Sequence, residues 1–497
     1  MKRFKKLGIL LGILVVACAA TLALSHYEEK QEQIKNSSEV ILQIPADSVT
    51  SLSWEYEEAG NLAFHKDESG WLWNSDTAFP VSEDRVGAIL SHFEAFGVSF
   101  IIENVEDYSQ YGLDDPACTL HIGTDSEVYD IKLGDFSKMD SQRYVDIGDG
   151  NVYLVKDDPM DYVSSSLSDM ILHDDTPGFE TVVDIRFEGA QSYMIQRLEN
   201  SGYSYSDGDV YFTQKNGVYL PLDKSAVTTY LNTITSVELE DYVTYNATEE
   251  DLLRFGLDDP ELTITVNYTH TGEDDTQIPG TCVIHISRNP EELAAAQEAQ
   301  ANGENGEAVS MYIRIGDSKI VYTLDSVDYG ILSAASYDDL RHKKVFWGDF
   351  EDVNRIEITL EDTEHTLISE ENEDGETLWY HHTGDAATHL PSETAGEAAE
   401  TAETEAVQMP EAIDLADLEA ALSALRANSF TDDTPTGKEE IRLTLHLENE
   451  NFPTVQLAFY RSSGTECLAM VDGESVSMVP RSSVMELVEA VQTIVLN

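Results

Sequence analysis

A chain of 497 residues exceeds what one hydrophobic core ordinarily serves, and its 41% hydrophobic content is enough to fold several domains. With 29 Lys and Arg against 94 Asp and Glu, the formal charge is −65; such a surface repels phosphate backbones and excludes nucleic acid as a partner. The four cysteines lack CxxC spacing, and Cys118, Cys282 and Cys467 lie in strand-like contexts as small buried apolar residues rather than as disulfide or zinc partners.

The chain opens with MKRFKK, followed by LGILLGILVVACAATLAL at residues 7–24. As a helix this uncharged run is about 27 Å long, close to the roughly 30 Å hydrocarbon core of a bilayer. Lys2, Arg3, Lys5 and Lys6 put residues 1–6 in the cytoplasm and the bulk of the chain outside, with the lipid bilayer as the partner of residues 7–24. No A-x-A site closes the run, so an uncleaved single-pass anchor in the cell membrane is the leading reading. VVAC resembles a bacterial lipobox, the alternative in which Cys18 carries lipid, and a cleaved secretory peptide is the third.

Beyond the anchor the sequence repeats itself. GWLWNSDTAFPVSEDRVGAILSHFEAFGV, from Gly70, parallels GYSYSDGDVYFTQKNGVYLPLDKSAVTTYLNTITSV, from Gly202. This alignment sets Trp71 and Trp73 against Tyr203 and Tyr205, and Phe79-Pro80 against Leu220-Pro221. Val86, Ile89, Leu90 and Phe93, and likewise Val227, Tyr230, Leu231 and Ile234, fall on one face at helical spacing. Next come YGLDDPACTLHI at 111 and FGLDDPELTITV at 255, then two strand, Gly-Asp turn, strand segments at 143–167 and 311–335. A third, worn copy runs from NRIEITL at 354 through the helix DLADLEAALSALRA to SFTDDTP at 429–435, where the glycine and leucine of the motif are gone. The copies cover 40–173, 180–345 and 350–497. Two Ala/Glu/Thr-rich insertions, 289–310 and 385–408, hold almost no large apolar residues and are expected as mobile loops.

The repeated motif reads as a helix stop. Asn104 and Asn246 are expected N-caps of a short helical turn before each copy. Gly112 and Gly256 then fall where a left-handed residue ends a helix, and Leu113 and Leu257 pack back on the last turn. Asp114-Asp115-Pro116 and Asp258-Asp259-Pro260 hand the chain to an extended strand. The paired aspartates need not bind calcium, because no EF-hand spacing surrounds them.

A search for reaction chemistry finds no GxSxG, HExxH, P-loop, GxGxxG or SxxK pattern. His381, His382 and His389 cluster without a carboxylate or cysteine at ligand spacing, so a solvated loop edge is expected and no metal or cofactor is assigned. Trp71 and Trp73, at i and i+2, either line a buried sheet face or stack on sugar rings; the recurrence of the pattern favours the buried face.

The run YGLDDPACTLHIG, then IKLGD, then RYVDIGDGNVYLV, behind a basic start and a single apolar segment, resembles the domain-of-unknown-function family 4340. The resemblance implies a membrane-anchored bacterial protein without assigned activity, often encoded beside ATP-binding-cassette transporters of the gliding-auxiliary type. It carries no family catalytic residues. The expected fold class is α+β: three related repeat domains, each an antiparallel β-meander with amphipathic helices packed on one face, plus one N-terminal transmembrane helix. The expected function is that of a non-enzymatic accessory or scaffold to a transport complex, with ATP-binding-cassette transporter subunits as partners. A glycan-binding module and an unrecognised hydrolase are the alternatives.

Overall fold

The computed structural model of the chain describes residues 33–56, 60–272, 274–372, 376–383 and 412–496. The expected anchor at 7–24, Cys18 and the insertion at 385–408 lie outside the described residues. Among the described residues no helix is long and apolar enough to cross a membrane. The fold is mixed α+β, built mostly from large antiparallel sheets.

Two compact units divide the chain. The first takes residues up to Asp175 together with Leu239–Thr248 and Ser318–Tyr322; the second takes Thr176–Glu238, Glu249–Asp317 and Thr323–Asn497. The division between Asp175 and Thr176 falls inside the gap left at 173/180, whereas no division falls at 345/350. Two stretches of the second segment belong to the first unit, and the rest of that segment forms one body with the third.

In the first unit the sheet runs, in spatial order, Gln33–Asn36, Phe100–Glu103, Val152–Val155, Gln142–Asp146, Val128–Ser137, Cys118–Thr124, Val49–Tyr56, Gly60–Asp67, Gly70–Trp73. Period-two alternation makes its core face: Leu52, Trp54, Cys118, Leu120 and Ile122 are fully buried while Ser51 faces solvent. The helix Glu83–Ser91 begins where the Ser82 hydroxyl accepts the Arg85 N–H, and it buries Val86, Ile89 and Leu90. Arg143 is held at 2.6 Å by Asp158 and donates to the Gly134 carbonyl, tying two strands to the following helical turn. Tyr245, just past the short strand Tyr242–Thr244, meets Phe79 edge-on at 5.0 Å and donates to Asp76.

The second unit holds two sheets. One orders Val218–Leu222, Tyr211–Lys215, Tyr193–Arg197, Thr181–Gly189, Leu262–Thr271, Gln277–Arg288 and Met311–Ile315. The other orders Thr377–Thr383, Thr363–Glu371, Val353–Leu360, Glu439–Leu447, Thr454–Arg461, Glu466–Val471, Glu474–Pro480 and Ser429–Phe430. Helix Lys224–Thr235, capped by the Asp223 carboxylate, buries Val227, Tyr230, Leu231 and Ile234. Helix Arg481–Val495 buries Val484, Leu487, Val488 and Val491.

Three local expectations are corrected. Tyr203 and Tyr205 do not form a strand pair; they lie in the connection before Tyr211–Lys215, which turns at Gly202 with φ 64°. Tyr205 instead packs into the core of the C-terminal sheet, stacked on Phe346 at 5.5 Å and touching Trp347 at 4.6 Å. Residues 290–301, expected in a mobile loop, are a helix: Asn289 accepts the N–H groups of Glu291 and Glu292, Pro290 opens the first turn, and Ala, Glu and Gln have high helix propensity. Poor burial capacity did not decide the outcome there; capping and propensity did. Asn104 is not an N-cap, since it has φ 58° and the turn Tyr108–Tyr111 starts from Asp107, whose carboxylate accepts the Ser109 N–H. Nor does Asn246 cap the helix Glu249–Phe255; its own N–H donates to Thr244 and its side chain accepts from Lys319.

Because Tyr205 is 7% exposed within the C-terminal core, Tyr205→Ala should lower the stability of the second unit by about 3 kcal/mol. Calorimetry checks this. Limited proteolysis should correspondingly fail to release 180–345 and 350–497 as two separately stable fragments.

Candidate functional site

The repeated Gly-Leu-Asp-Asp-Pro corners are the most distinctive local structures. In the first, the Gly112 N–H donates to the Ser109 carbonyl and the Leu113 N–H to that of Tyr108. In the second, Gly256 donates to Leu253 and Leu257 to Leu252. Both are the paired bonds of a helix stop through a left-handed glycine, with φ 67° at Gly112 and 72° at Gly256. Leu113 and Leu257 are buried, the former in a cluster with Ile102, Tyr111, Val152 and Leu154. Two residues past Pro116 and Pro260 begin the strands Cys118–Thr124 and Leu262–Thr271.

Conformation is not the only demand on the glycines. A Cβ on Gly112 would lie 2.7 Å from the Asp135 carboxyl carbon and 3.0 Å from its backbone nitrogen. A Cβ on Gly256 would lie 2.8 Å from the Ser287 hydroxyl and 2.9 Å from the Arg288 carbonyl oxygen. Each corner thus presses against the strand that pairs with the one it launches. Asp114, Asp115, Asp258 and Asp259 are exposed at the outside of the turn. Among the described residues no group of three His, Cys, Asp or Glu side chains is placed to hold a metal ion.

The surroundings of the two corners differ chemically. Beside the second, Arg288 makes a bidentate pair with Glu261, and the Tyr329 hydroxyl donates to the same carboxylate at 2.6 Å. These groups border a cavity of about 410 Å³ with Gln191, Ser333 and Ser336. Desolvation opposes the Glu261 charge, yet the Arg288 and Tyr329 hydrogen bonds prevail and hold its carboxyl below the usual range. Nε and Nη2 of Arg288 are both engaged by Glu261, which makes the group a polar clamp.

Ser204, Asp209 and His342 bring together the residue types of a hydrolytic triad. Asp209 is 6% exposed and accepts from Ser204 at 2.6 Å and from Trp347 at 3.0 Å, with His342 Nε2 at 2.9 Å. Serine and histidine therefore meet the carboxylate and not each other, and no base addresses the hydroxyl. The arrangement braces a joint instead: His342 lies flat on Trp347 at 4.5 Å, next to Tyr205.

Trp71 is 7% exposed, with the Lys66 ammonium 6.0 Å from its ring centroid. Trp73 is half-buried and meets Phe79 edge-on at 5.5 Å. The pair offers no open platform for a sugar ring. His381 and His382 lie on the strand Thr377–Thr383, while His389 is outside the described residues. Sequence reasoning missed His365, whose Nδ1 lies 3.2 Å from His381 Nε2; cross-strand register alone brings the two together. Cys118, Cys282 and Cys467 are free and buried, and burial pushes their thiols up to about 12, 11 and 11.

Fold and site together define an antiparallel α+β protein whose recurrent feature is a backbone corner rather than a set of reactive groups. The chain belongs to the family described as Domain of unknown function (DUF4340), whose model matches residues 71–200 and 215–444, more than half of the chain. Neither a curated protein nor a solved structure matches it.

Gly112→Val or Gly256→Val should each cost about 2 kcal/mol or more, combining left-handed strain with the steric overlap. Asp115→Asn should fall within about 0.5 kcal/mol of the native protein, as exposed substitutions do. Urea denaturation measures both. In a second experiment, iodoacetamide at mildly alkaline pH should leave Cys118, Cys282 and Cys467 unmodified until the protein unfolds.

Proposed function

We propose that this chain is a membrane-anchored extracytoplasmic protein of three related α+β units, acting as a non-enzymatic accessory or scaffold to a transport complex. An ATP-binding-cassette transporter is the partner class that family resemblance favours. One observation carries the scaffold reading: the corner and the strand order around it recur, while the side chains beside them do not. The position against the glycine is Asp135 in one copy and Arg288 in the other. A reaction centre needs fixed chemistry at fixed geometry; a framework needs only the geometry. In the C-terminal sheet the same strand order persists although the glycine and leucine are lost.

The anchored location rests on Lys2, Arg3, Lys5 and Lys6 ahead of the apolar run 7–24. With the four basic residues of 1–6 left inside, the exported part is still more acidic than the −65 of the whole chain, which makes a basic extracytoplasmic surface the favourable partner. A glycan-binding role is the second reading, and the burial of Trp71 weighs against it.

The test is capture of the tagged full-length chain from solubilised membranes. The accessory role predicts co-purification of the membrane and ATP-binding subunits of a transporter, with retention weakening as salt rises. Recovery without any transporter subunit, alongside retention of the protein on an immobilised polysaccharide, would contradict it in favour of glycan binding. Protease added to intact spheroplasts should digest the chain beyond residue 30, and Cys18→Ala should alter processing only if the anchor is a lipid.

A further inference from the structure

The strands Thr363–Glu371 and Thr377–Thr383 pair antiparallel with His365 opposite Thr383 and His381 opposite Leu367. His365 and His381 are therefore diagonal neighbours on one face, within reach of each other. It is the face of Ile356, Ile358 and Leu367, so the two imidazoles stand at the margin of the core, with His365 9% exposed. Their rings are 5.3 Å apart at 42°, and the facing nitrogens are 3.2 Å apart.

Partner choice makes this pair unusual. In a chain with 94 acidic residues, His121, His342 and His446 each sit on a carboxylate. His365 and His381 face one another instead. In such a pair one nitrogen carries a proton and the other accepts it; a divalent ion would take that proton's place and be held by both lone pairs. Two nitrogens at 3.2 Å, each about 2.0–2.1 Å from a common ion, subtend roughly 100°, between octahedral and tetrahedral coordination.

We propose that His365 and His381 bind a divalent late transition-metal ion, zinc or copper, through His365 Nδ1 and His381 Nε2. Imidazole selects such ions over calcium and magnesium, which prefer oxygen. No third protein ligand converges among the described residues, so water completes the coordination and the site is weak and exchangeable.

The experiment titrates the full chain with zinc chloride near neutral pH in excess calcium, which occupies the diffuse carboxylate charge and leaves imidazole free. One saturable site is expected, weakened at least tenfold by His381→Gln and unchanged by His382→Gln. Copper(II) bound to the native chain should show paramagnetic-resonance splitting from two nitrogens, a readout that does not depend on any variant folding. Absence of a saturable site, an isotherm indifferent to His381→Gln, or copper held by oxygen alone would overturn the assignment and leave the pair as a hydrogen bond.

Discussion

A helix that stops against a neighbouring strand leaves no room for a side chain at its last residue, and both corners of this protein meet that constraint. Gly112 and Gly256 take up the left-handed turn and at the same time let the helix end approach the backbone at Asp135 and at Ser287-Arg288. The following leucine then closes the last turn and seals the core edge, while proline keeps the chain extended into the sheet. If the helix ended a residue later, the entry of Cys118–Thr124 or Leu262–Thr271 would shift in register. A one-residue slip would turn Leu120, Ile122, Ile264 and Val266 from the core face to the other face.

What depends on the corner is geometry, and the chemistry around it is free to vary. The first corner faces an aspartate, the second an arginine already clamped by Glu261 and Tyr329. Polar groups that do become buried are spent on bracing: Asp209 gathers Ser204, His342 and Trp347 where Tyr205 enters the C-terminal core. That aromatic joint lies within the second compact unit, which holds both sheets.

Much of the fold was legible because its signals were local. The period-two runs, the amphipathic faces of Glu83–Ser91 and Lys224–Thr235, and the glycine helix stops each follow from a few adjacent residues. What was missed depended on distant partners or on competing local chemistry. Tyr205 looked like one half of a strand pair, but its destination is set by Phe346 and Trp347, more than a hundred residues later. Residues 290–301 looked like a loop because they bury nothing, yet Asn289 and Pro290 cap an Ala-rich helix that needs no core. His365 was invisible beside His381 until strand register placed them diagonally. The first unit's claim on Leu239–Thr248 and Ser318–Tyr322 has no sequence signature at all, since packing alone assigns them.

Native-state hydrogen exchange, resolved to single amides, tests the central role of the corners most directly. The N–H groups of Gly112, Leu113, Gly256 and Leu257 are donors in the two helix stops. If the corners hold the sheets in register, these amides should exchange only with the global opening of their units, as slowly as those of Leu120 and Ile264 in the adjoining strands. Exchange at the corners with the speed of a frayed turn, while the strands remain protected, would contradict the account.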